Sequence, residues 1–408
     1  MSSIAHEYRF ACSEGQTSKT IQDNCFTLAM RHIYLDYNAT TPIAPSVQEA
    51  MQPFLTLHHG NPSSGHSLGR ACHEAVATAR EQVALLLGCD DNEIVFTSCG
   101  TESNNLAIKG IMMAEPPARG GHFVTTAIEH PAVLEPARFL QSWGYGVTIV
   151  GCDGRGVVDL SEIADAITAD TRLVSIMHAN NETGVIQPIR EIANICRQRE
   201  VLLHVDAAQS VGKIRTAVEE MGADLLTIAG HKIYGPKGIG ALYVRRGTPI
   251  TPIQHGAGHE GGLRAGTENV PYIVALGKAA TLAGKAVDEN STRIETLRDR
   301  LRMLLEHGVG PSLSVNSDGT QRLPNTLNVN FPNVDGNQLL AHIPELCAST
   351  GAACHSGETK VSSTLAAMGV SDDVARGAVR LSLGWYTSEE EIDRAANLLI
   401  GAWEATVA

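Results

Sequence analysis

"VLLHVDAAQSVGKIRTAVEEMGADLLTIAGHK", residues 201–232, holds two apolar runs, and each empties onto a charged side chain, Asp206 and Lys232. The stretch "VGKIRTAVEEMG" separates them. Antiparallel neighbours need only a tight turn, whereas parallel neighbours need a connection of about a dozen residues or more. The spacing therefore predicts two parallel strands side by side, with Asp206 and Lys232 at the same edge of the sheet. In open α/β sheets that edge is where ligands bind.

The same texture extends in both directions. "EIVFTS", "HFVTTAIEH", "VTIVGC", "RLVSIMHAN", "VLLHVDAAQ", "DLLTIAG" and "GALYVRR" alternate with amphipathic stretches, the pattern of a mainly parallel sheet covered by helices. After Gly266 the texture changes. "STRIETLRDRLRMLLEHG" carries apolar residues at Ile294, Leu297, Leu301 and Leu304 or Leu305, which predicts an amphipathic helix leading into a second, smaller unit. That unit holds "LPNTLNVNF", "DGNQLLAHI", "AVRLSLGW" and a last helix opened by Ser388, a hydroxyl suited to capping a glutamate-rich first turn. The expected division is residues 1–31 as an extension without periodicity, 32–285 as the large domain and 286–408 as the small one.

The 408-residue chain is 43% hydrophobic and 18% charged, enough for a sizeable core. A formal charge of −13 and an isoelectric point near 5.6 leave no basic surface for nucleic acid. No apolar run has the length of a membrane span. Nine cysteines lie at scattered spacings without a C-x-x-C pair, which argues against a zinc cluster and fits free thiols in a reducing, cytoplasmic compartment.

An aspartate at the end of an apolar strand costs several kcal/mol unless a cation meets it. Lys232 itself is one candidate. The other is a protonated pyridine nitrogen, with Lys232 left free to form a Schiff base with an aldehyde; pyridoxal phosphate carries both groups. Its phosphate needs a cradle, and "IVFTSCGTESNNLAIKG" runs from a strand through Gly100 and Thr101 into a helix whose first N–H groups are free to bind an anion. His231 offers a further donor. His130, just past another strand, is either a satisfied histidine or a ring stacked on a flat cofactor. Gln209 and Asn181, at neighbouring strand ends, can reach a phenolic oxygen.

"YLDYNATTP", "GNPSS", "FTSCGTESNN", "IEHPAV", "ANNETGVIQP", "HVDAAQSVGK", "GHKIYGPKGIGALYVRRG", "RAGTEN", "GAACHSG" and "RLSLG", in this order, resemble the cysteine desulfurases and selenocysteine lyases of the class V branch of fold-type I pyridoxal phosphate enzymes. The resemblance implies a seven-stranded, mainly parallel sheet in the large domain and a smaller α+β domain. It makes Lys232 the Schiff-base lysine, Asp206 the partner of the pyridine nitrogen, His130 the stacked ring and Gln209 the contact of the phenolic oxygen. Thr101 and His231 then hold the phosphate, joined by Thr267 from the second subunit of a homodimer. Asn38 and Arg380 match positions that hold the substrate carboxylate, a task suited to a guanidinium because it donates two parallel hydrogen bonds. Cys354 matches the catalytic cysteine, which takes sulfur from the substrate as a persulfide and passes it to an acceptor protein.

Three positions depart from that pattern. Ala229 stands where many relatives carry a phosphate-binding serine, and Thr227 is the candidate replacement. Cys99 replaces a common glycine, and "GETKVSS" after Cys354 lacks a Glu-Pro-Ser frequent in one group. "GTQRLPNT" and "GAACHS" look especially like selenocysteine lyases. The resemblance thus carries cysteine desulfurase first, selenocysteine lyase second and class V aminotransferase third.

Overall fold

The protein is described by a computed structural model over residues 32–116, 120–350 and 361–408. The expected extension over residues 1–31 and the expected nucleophile Cys354 lie outside the described residues. Strand β1 (Ile33–Tyr34) comes first. Seven strands then form the central sheet: β2 (Ile94–Thr97), β3 (His122–Thr126), β4 (Gly146–Val150), β5 (Thr171–Met177), β6 (Leu202–Asp206), β7 (Leu225–Ala229) and β8 (Gly240–Val244). Their order is β2-β8-β7-β6-β5-β3-β4, and only β8 runs antiparallel to its neighbours. Each apolar run picked out from the sequence supplies one strand.

Every residue of β7 is buried, which is how a central strand reads when helices cover both faces. Asp206 pairs in register with Thr227, so β6 and β7 do end side by side. A turn of 3-10 helix, Gly230–Lys232, follows β7 directly. The chain then returns as β8, where a side chain at Gly240 would lie 2.7 Å from the Ile228 carbonyl oxygen and 2.8 Å from the Cys99 carbonyl carbon. Glycine there lets the loop before the Gly100–Met112 helix press onto the sheet.

A second sheet is built by β9 (Ser314–Val315), β10 (Thr326–Asn330) and, beyond β11 (Leu346–Cys347), β12 (Ala378–Ser382), in the order β12-β10-β9 and antiparallel throughout. β1 pairs with β11, so the start of the described chain joins this smaller unit. The last helix, Glu389–Val407, opens with the expected Ser388 cap, completed into a capping box by Glu391. Among the described residues, no helix is long and apolar enough to cross a membrane.

One helix, Val270–Val309, runs for 40 residues. The amphipathic stretch expected from Ile294 onward is only its second half. Its first half, rich in alanine and glycine, buries Ile273, Leu276, Ala280 and Ala283 in the core of the large sheet. Its second half buries Ile294, Leu297, Leu301 and Leu305 in the core of the small one. We propose that the two units divide within this helix, near residue 285, where its buried face changes from one core to the other.

At Gly277 this helix presses onto the Ser67–Leu87 helix: a Cβ there would lie 2.6 Å from the Ala79 Cα. Backbone cannot yield as a flexible side chain can. Gly277→Val is therefore expected to lower unfolding stability by about 3 kcal/mol, read as a reduced urea midpoint at unchanged slope.

Candidate active site

The tips of β5, β6 and β7 open into a cavity of about 420 Å³, a size that holds a small-molecule ligand. Its lining includes Asn38, Gly100, Thr101, His130, Asn181, Asp206, Gln209, His231, Lys232 and Arg380. These are the site residues expected from the sequence, save two. Thr267 is exposed and is not among the lining residues, and Cys354 lies outside the described residues.

Asp206 is buried at 6% exposure. One of its oxygens accepts from Asn104 Nδ2 at 2.7 Å and the other from the Ala208 N–H at 3.0 Å. Among the described residues no cationic side chain pairs with it. Lys232 instead donates Nζ to the backbone oxygens of Asn38 and, at 2.8 Å, of Ala39. The direct Asp206–Lys232 ion pair, one of the two sequence readings, is thus not formed. A buried carboxylate facing a cavity without a counter-ion fits a ligand that brings its own positive charge.

Desolvation, together with the nearby Arg380 charge, lowers the Lys232 pKa to about 8, against the opposing pull of Asp206 and Asp36. Burial also pushes His130 down, although Asp206 pulls it the other way. The His130 Nδ1 accepts from the Ala132 N–H at 3.1 Å and so caps the Pro131–Ser142 helix. In the neutral ring this puts the proton on Nε2. Next to it, Glu129 is fully enclosed: Oε1 accepts from Thr126 and Met177 N–H, and burial raises its pKa to about 8. His231 falls to about 4, first through desolvation and then through the charges of Lys232 and Lys237.

At the cradle, Cys99 caps the Gly100–Met112 helix without any side-chain hydrogen bond, which leaves that helix end to backbone N–H groups. A Cβ on Gly100 would lie 3.3 Å from the Ala229 Cβ. The replacement expected from Thr227 does not occur. Its hydroxyl is fully buried and bonds His204 Nε2 at 3.0 Å, and Thr227 does not line the cavity.

At the opposite wall, the buried Arg380 donates to Asp36 at 2.7 Å and to the Asn181 carbonyl at 3.1 Å. Its Nε has no partner. Asn181 lines the cavity, and its backbone oxygen is also a support for the Arg380 and Asn38 side chains. Three contributors escaped the sequence reading: Asn104 behind Asp206, Asp36 behind Arg380, and Lys213, which donates to Asn38 Oδ1 and Gln209 Oε1.

A mainly parallel seven-stranded sheet with an acid and a lysine at adjacent tips defines the class, and the family model of the class-V aminotransferases matches residues 33–395. A cysteine desulfurase of Trichormus azollae is 49% identical over 372 residues, covering 91% of this chain and 92% of that protein. A solved NifS-like protein superposes with a TM-score of 0.85 at 39% identity, covering 92% of this chain and 99% of the other. A structure described as SspA in complex with cysteine has a TM-score of 0.76 at 37% identity, over 87% of this chain and 99% of that one. The chain belongs to the cysteine desulfurase family of the class-V aminotransferases, a pyridoxal phosphate-dependent family.

Proposed function

We propose that the protein is a pyridoxal phosphate-dependent cysteine desulfurase that converts L-cysteine to L-alanine and carries the sulfur away on Cys354. The observation that supports this most is the pair of strand tips: an acid without a counter-ion and a desolvated lysine face one cavity without touching each other. Asp206 would meet the pyridine nitrogen and Lys232 the aldehyde. His130 would stack on the ring, Gln209 and Asn181 would serve its phenolic oxygen, and Gly100, Thr101 and His231 would hold the phosphate. When bound, the cofactor draws electrons from the substrate Cα; the chain supplies the proton carriers and the orientation. Lys232, released by the substrate amine, moves the Cα proton, and Asn38 with Arg380 holds the substrate carboxylate.

Thr267, exposed and outside the cavity of its own chain, is proposed to reach the phosphate of a partner subunit in a homodimer. The described cysteines are free, in keeping with a cytoplasmic enzyme that hands sulfur to an acceptor protein, iron–sulfur cluster assembly being one destination. The cysteine in the SspA complex supports cysteine as substrate. Selenocysteine is the second reading, carried by the sequence motifs alone.

The test is colour. Mixing cofactor-free protein with pyridoxal phosphate should generate a yellow band, and a protein that stays colourless overturns the proposal. An amine attacks an aldehyde only when neutral, so with Lys232 near 8 the rate of colour formation should climb with pH and level off above that value. A lysine at the ordinary value of about 10.4 would go on accelerating for two further pH units, roughly a hundredfold in rate. Stopped-flow absorbance across pH 6–10 distinguishes the two curves.

A further inference from the structure

Lys213 lies one turn beyond Gln209 and behind the cavity wall. Its Nζ donates to Gln209 Oε1 at 2.8 Å and to Asn38 Oδ1 at 3.1 Å. Among the described residues it has no carboxylate partner, and the charged groups acting on it, Lys232 and Arg380, are both cationic. Desolvation first, and then those two charges, hold its pKa well below the ordinary lysine range. A buried amine in such company costs stability, so stability does not account for it.

Geometry offers an account. A side-chain amide has an oxygen and a nitrogen of nearly equal shape, and only its partners decide which way it points. With Lys213 donating, the Gln209 oxygen turns toward it and the Gln209 NH2 turns away; the Asn38 oxygen also accepts from Asn325 Nδ2 at 3.0 Å, so that amide is fixed with or without Lys213. The Gln209 Nε2 then donates at 2.9 Å to the Asn38 carbonyl, the same oxygen that Lys232 contacts. The Asn38 Nδ2 donates to Thr326 Oγ1 at 2.9 Å and to the Asn181 carbonyl at 3.2 Å. Even as a free amine Lys213 keeps an N–H for each oxygen.

We propose that Lys213 is a positioning residue that locks the Gln209 amide against an already fixed Asn38, so that Gln209 offers N–H and not C=O beside Lys232. This rests on the cofactor reading above, in which the phenolic oxygen lies next to Gln209. An N–H aimed at that oxygen stabilises its negative charge and makes the adjacent nitrogen of the Lys232 linkage easier to deprotonate. The lock therefore shows in the pH midpoint of the yellow band.

The experiment titrates cofactor-loaded protein by visible absorbance from pH 5 to 11, comparing wild type with Lys213→Met, Gln209→Ala and the double variant. Lys213→Met should raise the midpoint by about one pH unit, Gln209→Ala by a similar amount, and the double variant by no more than the larger single change. Lys213→Gln, which keeps a polar head but itself flips freely, should behave like Lys213→Met and serves if the latter does not fold. The melting temperature of cofactor-free Lys213→Met should stay near wild type, because relief of the desolvated amine offsets its two lost hydrogen bonds. A yellow wild type whose midpoint is kept in the Lys213 variants overturns the lock alone. Shifts that add fully in the double variant also overturn it, because Lys213 then does not act through Gln209. A wild type that takes up no colour overturns the cofactor reading, and the lock with it.

Discussion

Lys232→Ala should leave a folded protein that stays colourless with pyridoxal phosphate and releases alanine from cysteine at least about a thousandfold more slowly, the scale set by losing both a covalent anchor and a proton carrier. The fold should survive because Lys232 contributes little to it. Its amine is largely desolvated and touches only the backbone oxygens of Asn38 and Ala39. The Asn38 oxygen keeps a second donor, Gln209 Nε2. Neither Asp206 nor Arg380 loses a bond, since Asp206 leans on Asn104 and Arg380 on Asp36. The melting temperature of the cofactor-free variant should therefore stay within about 3 °C of wild type. Absorbance, calorimetry and alanine release separate the outcomes: a variant that still turns yellow has its aldehyde partner elsewhere, and one that unfolds shows a structural lysine.

How much of this could be read from sequence follows from the range of the interactions. The β6–crossover–β7 unit was legible because its strands, length and terminal charges all fall within residues 201–232. So were the Ser388 cap and the apolar face from Ile294 to Leu305, which repeat over a turn or two. The site itself was legible mainly where the residues match a known family. Its supports were not, because they join positions far apart: Asn104 meets Asp206 across 102 residues and Asp36 meets Arg380 across 344. No local period announces such pairs. The first half of the Val270–Val309 helix was missed for another reason. Its Ala and Gly residues allow the close approach at Ala79 but give little contrast between an apolar and a polar face. Thr227 misled for a third reason, since strand alternation puts it on the same face as Ala229, yet its hydroxyl is taken by His204.

Cys354→Ala should stop alanine release from cysteine, by about a thousandfold or more, while leaving the yellow band intact. The thiolate of Cys354 has one task in the proposed reaction: it attacks the substrate sulfur, the Cβ–S bond breaks, and cysteine plus enzyme thiol become alanine plus enzyme persulfide. Without it the sulfur has no acceptor on the chain. Tether length supports the assignment. Ser349, five residues earlier, exchanges both backbone hydrogen bonds with Arg380, a cavity residue. Five residues can span up to about 17 Å, a tether long enough for the approach the proposed reaction needs. On the other side Ser362 is held by Glu182, eight residues from Cys354. Selenocysteine gives the same experiment a second reading. The carbon–selenium bond is weaker than carbon–sulfur and can break without an attacking thiolate, the bonding electrons and the selenol proton staying on Cβ to give alanine and elemental selenium, so alanine release from selenocysteine should persist in Cys354→Ala. A wild type that prefers selenocysteine, together with a variant that keeps that preference, would make the protein a lyase of that amino acid. Cysteine turnover unchanged by Cys354→Ala would remove the persulfide step altogether.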